Sequence, residues 1–264
     1  MHFTKMHGLG NDYLYVYGEV PDNIADVCQK LSDRHFGAGS DGMIYISPSA
    51  TADFKMRIFN ADGSEAMMCG NGIRCVGKYV YDKGYTDKTH ITVETLSGIK
   101  TLDLRLNKGK VVQAAVDMGY AVISDEISVT LPEIDMTCVP VSVGNPHAVF
   151  FVDNAENVPV SVIGPIIEHN NAFAGGVNVE FVRLIAPNKL RMRVWERGSG
   201  VTMACGTGAC ASAVAAVSKG MCEYNKPIRV QLDGGILEIT VTREYGIIMT
   251  GPAEIVYEGY TDIC

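Results

Sequence analysis

Hydrophobic and polar positions alternate in some segments of the chain, and this alternation indicates strands. Other segments lack the alternation and indicate helices. Apolar and polar residues alternate in 91–104, ITVETLSGIKTLDL, and in 228–241, IRVQLDGGILEITV, and a glycine-containing turn splits each run. This pattern predicts two β-hairpins. The ranges 73–82 and 209–218 instead suit helices. The second, ACASAVAAVS, has almost no charge, so we expect it to be buried on nearly every face.

The same order of elements occurs twice in the chain. MRIFNADGSEAMMCGNG (56–72) aligns without gaps on MRVWERGSGVTMACGTG (192–208), a shift of 136 positions. In each half we expect a strand, a helix (about 23–34 and 161–170), a strand ending in MRIF or MRVW, a helix opening at Gly-x-Gly, and hairpins. Two long copies do not suit a solenoid.

This duplication predicts an α+β fold of two pseudo-symmetric domains, 1–118 and 119–264. Each domain is expected to be a mostly antiparallel sheet wrapped around a central helix.

Composition excludes several classes of protein. The 264 residues carry a net charge of −8, and a chain with pI near 5.2 has no basic surface for nucleic acid. No stretch approaches the roughly 20 apolar residues of a membrane span, and the N-terminus does not resemble a signal peptide. We therefore expect a cytoplasmic protein without nucleic-acid or membrane partners. The sequence leaves open whether it forms a homodimer.

The eight cysteines favour thiols over disulfides or zinc ligands. They are Cys28, Cys69, Cys75, Cys138, Cys205, Cys210, Cys222 and Cys264. A chain of this length without a secretory signal rarely depends on disulfides, and the spacings lack the Cys-x-x-Cys of zinc sites. Most of the cysteines suit the core, but Cys69 and Cys205 stand at equivalent points of the duplication, each before Gly-x-Gly.

Each of these two cysteines is predicted at the N-terminus of a buried helix. Unpaired N–H groups and the helix dipole there would lower the thiol pKa and hold a carboxylate. If the two copies face each other across a domain cleft, they form an anion pocket with a thiol on each side. Inversion of a carbon α to a carboxylate needs this set: a base on one face, an acid on the other, and donors for the enolate-like intermediate. A dinucleotide site is the weaker alternative for GTGACA, because the polar stretch ERGSGVT separates it from the strand.

At these residues the chain resembles the diaminopimelate epimerase family, which acts without pyridoxal phosphate. The resemblance covers essentially the whole chain through MHGLGNDY, FNADGSEAMMCGNGIRC, GNPHAV, NVEFV and ERGSGVTMACGTGAC. It implies two domains of the kind described, no metal, no cofactor, and a small amino-acid substrate whose L,L form is converted to the meso form. It also implies Cys69 and Cys205 as the acid/base pair, with His147 and Glu196 assisting them.

The resemblance further implies a set of substrate contacts. Gly70-Asn71 and Gly206-Thr207 would bind the reacting carboxylate through backbone N–H groups. The remaining contacts would come from Asn11, Asn60, Asn145, Asn178, Glu196 and Arg197. Each side chain also has a plain structural interpretation: Asn11 and Asn145 as turn formers, His147 as a core histidine, and Glu196-Arg197 as a solvated pair.

Two positions depart from the family pattern. Val201, expected on the buried side, stands where a Glu is frequent, and Gly42 stands where some members have Gln. These departures leave two other hypotheses open. One is a racemase of another amino acid, such as histidine, on the same scaffold. The other is a carboxylate-binding module whose thiols are only structural.

Overall fold

The computed structural model describes residues 1–131 and 135–263, so Cys264 lies outside the described residues. The helices are α1 (Ile24–Ser32), α2 (Gly70–Asp82), α3 (Val160–Glu168) and α4 (Gly206–Ser218). The first strands are β1 (His2–Gly8), β2 (Asn11–Tyr17), β3 (Gly42–Pro48), β4 (Phe54–Asn60), β5 (Glu65–Ala66), β6 (His90–Thr95), β7 (Gly98–Asn107) and β8 (Lys110–Tyr120). They are followed by β9 (Val122–Ile123), β10 (Ile127–Thr130), β11 (Asp135–Ser142), β12 (Pro146–Phe151), β13 (Asn178–Ala186), β14 (Lys189–Glu196), β15 (Gly200–Val201), β16 (Ile228–Leu232), β17 (Gly235–Val241), β18 (Gly246–Pro252) and β19 (Glu254–Tyr260).

The predicted helices and hairpins are confirmed. The alternating runs form β6–β7 and β16–β17, both antiparallel. Helix α4 buries every residue from Gly206 to Val217 except Thr207. Within the ranges 1–131 and 135–263, none of the helices combines the length and apolar character that crossing a bilayer requires.

Two compact units make up the chain. One is Met1–Asp117 together with the segment that begins at Gly251, and the other is Met118–Thr250. The sequence-based division placed all of 119–264 in one domain. In the structure the C-terminal strand lies with the first unit, because β19 pairs antiparallel with β1 and places Tyr260 opposite His2.

Strand pairing repeats between the units and confirms an α+β duplication. In the first unit β2–β3 and β4–β6 are parallel, whereas β1–β2, β3–β4, β6–β7 and β7–β8 are antiparallel. In the second unit β12–β13 and β14–β16 are parallel, whereas β11–β12, β13–β14, β16–β17 and β17–β18 are antiparallel. Each parallel pair needs a crossover, and a helix supplies it.

One helix of each unit packs against several of that unit's strands. Helix α2 packs on β1, β2 and β7, and α4 packs on β11, β12, β13, β14, β16 and β17. The fully buried apolar residues of these helices, such as Ile73, Val76 and Val214, each contribute about 1.5–3 kcal/mol relative to exposure. The buried position of each helix places its N-terminus, where the Cys-Gly-x-Gly sequence stands, at the end of a packed core.

Candidate active site

Cys69 is the N-cap of α2. Its backbone is extended (φ −134°, ψ 116°), and its Sγ accepts the N–H of Gly72 at 3.3 Å. The helix runs for 13 residues from Gly70, so the first N–H groups, those of Gly70 and Asn71 included, lack partners from an earlier turn. An anion is stabilised at such a terminus by these donors and by the helix dipole.

An amide network orients the Cys69 thiol. Asn11 Oδ1 accepts from Cys69 Sγ at 3.3 Å and from Asn71 Nδ2 at 3.4 Å. Asn11 Nδ2 donates to Asp41 Oδ2 at 2.7 Å. Because a carboxylate can only accept, Asp41 turns the amide so that its oxygen faces the sulfur. Asn11 therefore contacts the thiol and is more than a turn former.

A buried cation lies behind the same helix terminus. Arg74 is fully buried, and its guanidinium donates to Gly70 O at 3.0 Å and to Asn71 Oδ1 at 3.1 Å. The equivalent position of α4, 136 residues later, is Cys210. The two helix termini consequently differ in charge although their sequences repeat.

Cys205 is the N-cap of α4 and copies the local geometry of Cys69. Its backbone is extended (φ −110°, ψ 110°), and its Sγ accepts the N–H of Gly208 at 3.4 Å. Thr207 Oγ1 lies 3.6 Å from the sulfur. Gly206 and Thr207 occupy the first turn, in the same positions as Gly70 and Asn71 in α2.

Carboxylates surround Cys205, and this corrects the expectation of an acidified thiol. Burial, followed by the negative charges of Glu196 and Glu180, raises the pKa of the Cys205 thiol well above its ordinary value. The helix terminus cannot outweigh this desolvation, because the sulfur is removed from water and faces like charges. Cys205 is therefore a protonated thiol in this structure.

Glu196 is bonded to the same thiol and is not a solvated side chain. Burial raises the pKa of its carboxyl, while hydrogen bonds from Thr202 and Cys205 oppose that rise. Thr202 Oγ1 donates to Glu196 Oε1. A carboxyl that is hydrogen-bonded to a thiol can exchange a proton with that sulfur.

His147 lies in the interior of the second unit with partners at both ring nitrogens. Its Nδ1 is 2.7 Å from Glu180 Oε1, and its Nε2 is 3.1 Å from Asn145 Oδ1. Asn145 Nδ2 donates to Thr207 Oγ1 at 3.3 Å. A continuous set of hydrogen bonds thus connects the histidine to the first turn of α4.

Asn178 and Arg197 meet through the backbone. Asn178 Oδ1 accepts the N–H of Arg197 at 3.0 Å, and its Nδ2 donates to Pro146 O at 2.9 Å. The exposed Arg197 guanidinium donates to Gly175 O at 3.2 Å. Buried Glu168 holds the next residue by accepting the N–H of Gly198 at 3.0 Å. Asn178 therefore fixes the loop that presents the arginine.

Asn60 is the predicted site residue whose side-chain hydrogen bond is to a near neighbour in the sequence. Its Nδ2 donates to Ser64 Oγ at 3.1 Å in the turn after β4. Asn178 and Arg197 contact each other, and the other predicted residues form two groups. Cys69, Gly70, Asn71 and Asn11 cluster in the first unit, and Cys205, Gly206, Thr207, Glu196, His147 and Asn145 cluster in the second.

The two departures have structural causes. Val201 is 47 % exposed, so the expectation of a buried side chain is wrong. It belongs to the two-residue strand β15, which pairs with the end of β14. At Gly42, φ is +152°, and an added Cβ would lie 2.0 Å from Phe59 O. Strand pairing with β4 therefore requires glycine at position 42 and leaves no room there for a longer side chain.

Sequence reasoning missed Glu180, Asp41 and Arg74. Glu180 was the easiest of the three to predict, because a single charge inside the apolar run NVEFV of a predicted strand signals a buried carboxylate. Nothing local distinguishes Asp41 from a surface turn residue. Within the described ranges, His, Cys, Asp and Glu side chains do not form a group of three or more suited to a metal ion.

The chain is similar in sequence to known proteins. The sequence model of the family "Diaminopimelate epimerase" matches residues 3–124 and 139–256. The chain is 50% identical over 281 residues to the diaminopimelate epimerase of Methanococcus maripaludis, covering 100% of both chains. It is also 50% identical over 280 residues to that of Acetivibrio thermocellus, covering 100% of this chain and 99% of the relative.

Solved structures share the fold at much lower sequence identity. A probable proline racemase from Agrobacterium radiobacter has a TM-score of 0.77 at 14% identity, over 100% of this chain and 93% of that one. At this identity the likeness concerns the fold alone. The family match over most of the chain, together with half-identical relatives over its full length, shows that the protein belongs to the diaminopimelate epimerase family.

Proposed function

We propose that this protein inverts one α-carbon of L,L-diaminopimelate to give the meso isomer, with Cys69 and Cys205 as the acid/base pair. The observation that carries the proposal is the repeated N-cap. Each unit places a cysteine sulfur at the start of a buried 13-residue helix, where it accepts an N–H from the first turn. A one-base enzyme would need only one such cysteine.

The same helix termini stabilise the reacting carboxylate. The N–H groups of Gly70-Asn71 and Gly206-Thr207 stand in the first turn of their helices and can donate to carboxylate oxygens. As the α-proton leaves, negative charge moves onto those oxygens, and donors already in place stabilise it without reorganisation. The second glycine of each Gly-x-Gly serves packing instead, since an added Cβ would lie 2.7 Å from Ile44 Cδ1 at Gly72 and 2.7 Å from Glu180 Oε1 at Gly208.

The charges around the two sulfurs assign their roles in one direction. Carboxylates face Cys205, whereas Cys69 has amide and N–H partners with the Arg74 cation behind the helix terminus. Cys69 is itself a thiol in this structure, since its S–H donates to Asn11 Oδ1. After this proton is released to solvent, the Cys69 thiolate accepts the α-proton, and the electron pair of the C–H bond passes into the enediolate. The Cys205 thiol donates its proton to the opposite face of the same carbon. The cycle ends with a Cys69 thiol and a Cys205 thiolate.

Glu196 completes proton return at Cys205. A thiolate beside two carboxylates is unfavourable, and Glu196 is hydrogen-bonded to this sulfur with a raised carboxyl pKa. Glu196 thus supplies a proton to Cys205 after turnover and regains one from solvent, while the Cys69 thiol releases its proton to solvent, which restores the starting state. The reverse reaction uses the same groups in exchanged roles.

The distal amino-acid end of the substrate is bound by the remaining polar residues. Arg197 offers a planar guanidinium that suits a carboxylate. Asn178 holds the Arg197 backbone, and Asn11, Asn60 and Asn145 supply amides for the ammonium and carboxylate groups. We also propose a cytoplasmic location, since Cys28, Cys75, Cys138, Cys205 and Cys222 are free thiols, which reducing compartments preserve.

Deuterium exchange tests the function directly. In D₂O the purified protein should incorporate deuterium at the α-carbon of L,L-diaminopimelate and produce the meso isomer. A panel of monoamino acids, histidine included, serves as the comparison. Exchange confined to a monoamino acid would contradict the proposed substrate. Exchange with no compound, in a folded and reduced protein, would leave only a binding role.

A further inference from the structure

A buried carboxylate in the second unit enters the mechanism above only as a negative charge near Cys205. The His147 and Glu180 side chains are both fully buried, with Nδ1 and Oε1 2.7 Å apart. Among the described residues, Glu180 Oε2 has no hydrogen-bond partner. Removing a carboxylate from water is strongly unfavourable when its oxygens are not all compensated. The presence of Glu180 in this core therefore calls for a reason.

Packing does not supply that reason, because the first unit has an apolar side chain, that of Ile44, at the equivalent position. Glu180 in β13 lies beside Val149 of the parallel strand β12, and Ile44 in β3 lies beside Tyr15 of the parallel strand β2. Ile44 stands 136 positions before Glu180, the shift of the duplication.

The contact with the helix also repeats. A Cβ on Gly208 would lie 2.7 Å from Glu180 Oε1, and a Cβ on Gly72 would lie 2.7 Å from Ile44 Cδ1. Both side chains thus fill the same space under the first turn of their helix. The fold accepts an apolar residue at this position, so the charge serves something other than folding.

Strand register explains why Glu180 acts on His147. His147 pairs with Asn178 across the parallel strands, and residues two apart on a strand share a face. Glu180 therefore projects from the same face as His147. The ring's other nitrogen, Nε2, is turned to Asn145, whose amide bonds Thr207 in the first turn of α4.

We propose that Glu180 is a positioning residue that accepts the Nδ1–H of His147, fixes the ring, and so directs the Nε2–H to Asn145 Oδ1 beside the first turn of α4. A carboxylate that holds the Nδ1–H of a catalytic histidine is a general device for selecting the reactive nitrogen. The inference rests on the proposed function for its catalytic consequence. The proton on Nδ1 can be measured without substrate.

The experiment uses the full-length, ligand-free protein labelled with ¹⁵N. Long-range ¹H–¹⁵N spectra report which ring nitrogen of each of the six histidines carries a proton, and the spectrum of His147→Gln assigns the His147 signals. The test variants are Glu180→Gln and Glu180→Ile. The first preserves size, and the second copies the residue that the first unit uses. Ile44→Val is the matched control at the equivalent position.

We expect the wild type to show a protonated Nδ1 at His147. In Glu180→Ile the acceptor is absent, and in Glu180→Gln the amide NH₂ can turn to Nδ1, so both variants should lose that proton signature. Turnover of diaminopimelate should fall roughly 10²- to 10⁴-fold in kcat, the range seen when orienting partners are lost. KM should change little, because Glu180 does not contact substrate. Ile44→Val should keep the signature and stay within about twofold in kcat.

The outcomes test the positioning role of Glu180 independently of the proposed epimerase function. A bare Nδ1 in the wild type, or an unchanged ring signature in both Glu180 variants, overturns the positioning role. If the signature depends on Glu180 but no variant or wild type turns over diaminopimelate, the positioning role stands and the proposed function fails. Should Glu180→Ile not fold, Glu180→Gln provides the same two measurements.

Discussion

Single side chains create the difference between two thiols that share one local geometry. Both sulfurs accept an N–H from the third residue after them, at 3.3 Å for Cys69 and 3.4 Å for Cys205. Arg74 then adds a cation near the first helix terminus, and Glu196 and Glu180 add negative charge near the second. The two thiols therefore share one local frame, and a few side chains give them different electrostatic surroundings.

Serine substitutions should separate the tasks of the two cysteines. A hydroxyl is a far weaker acid than a thiol, so Cys69→Ser and Cys205→Ser should each lower epimerisation by at least about 10²-fold. Elimination from a β-halogenated substrate analogue needs only one base. Each single variant should retain elimination with one stereoisomer, and the two should prefer opposite stereoisomers, as judged by product analysis. A shared preference would contradict a mechanism that works on two faces.

Removing the charge of Glu196 should make Cys205 more reactive. In Glu196→Gln the thiol stays buried but loses a carboxylate that raises its pKa, so the pKa falls and the thiolate fraction near pH 8 grows. We expect alkylation of Cys205 by iodoacetamide to accelerate about tenfold, which corresponds to one pKa unit. Mass spectrometry of the modified peptides measures the rate, with Cys69 in the same protein as internal reference. An unchanged or slower rate at Cys205 would show that burial alone sets its pKa.

Helices and strands explain why the cysteines occupy their positions. The Gly-x-Gly sequences start helices that the surrounding strands bury, and the close approach of those strands leaves no space for a Cβ in the first turn. At Gly72 the nearest atom to an added Cβ is Ile44 Cδ1, the end of a flexible side chain. At Gly208 it is Glu180 Oε1, which the bond to His147 holds in place. The equivalent glycines, Gly72 and Gly208, should therefore differ in how well they tolerate substitution by alanine.

Alanine at the two glycines should expose this difference. In a helix, Gly→Ala normally stabilises by about 1 kcal/mol. Gly72→Ala should come close to that gain or to no change, as Ile44 can rotate. Gly208→Ala should destabilise by roughly 1–3 kcal/mol, the usual effect of overpacking, because the methyl group meets the Glu180 carboxylate at 2.7 Å and Cys205 Sγ at 3.2 Å. Urea unfolding measures both values, and equal effects would mean that Glu180 is not held.

The whole protein should lose stability at alkaline pH, because its buried thiols are hard to ionise. Burial raises the pKa to about 11 for Cys75 and Cys222 and to about 12 for Cys138, and Cys205 is also raised. An unfolded thiol ionises near pH 8.5. Between that pH and about 11 the folded state binds more protons than the unfolded state, so the free energy of unfolding falls as pH rises.

Each such thiol lowers the free energy of unfolding by about 1.4 kcal/mol per pH unit in that window. The midpoint of urea unfolding under reducing conditions should therefore drop steadily from pH 8.5 to pH 10.5. Cys138→Val removes one titrating group and should flatten the dependence relative to wild type. A midpoint that stays level up to pH 10.5 would contradict the burial of these thiols.

The repeat, the four helices, the hairpins and the positions of both cysteines at helix N-termini could be predicted from the chain alone. Each depends on information that is local or duplicated. An N-cap cysteine followed by Gly-x-Gly defines its own environment over four residues, and apolar periodicity identifies the face that packs. The helix expected at 209–218 is buried as its composition requires. The family resemblance added the polar residues around these positions.

Contacts between residues far apart in the sequence could not be predicted from a local pattern. Parallel pairing of β12 and β13 brings Glu180 to His147 across 33 positions, and pairing of β19 with β1 joins the two ends of the chain in one unit. The same packing reversed the expected acidity of Cys205. A helix terminus is a short-range feature of sequence, whereas desolvation and neighbouring charge depend on every element that closes over the sulfur.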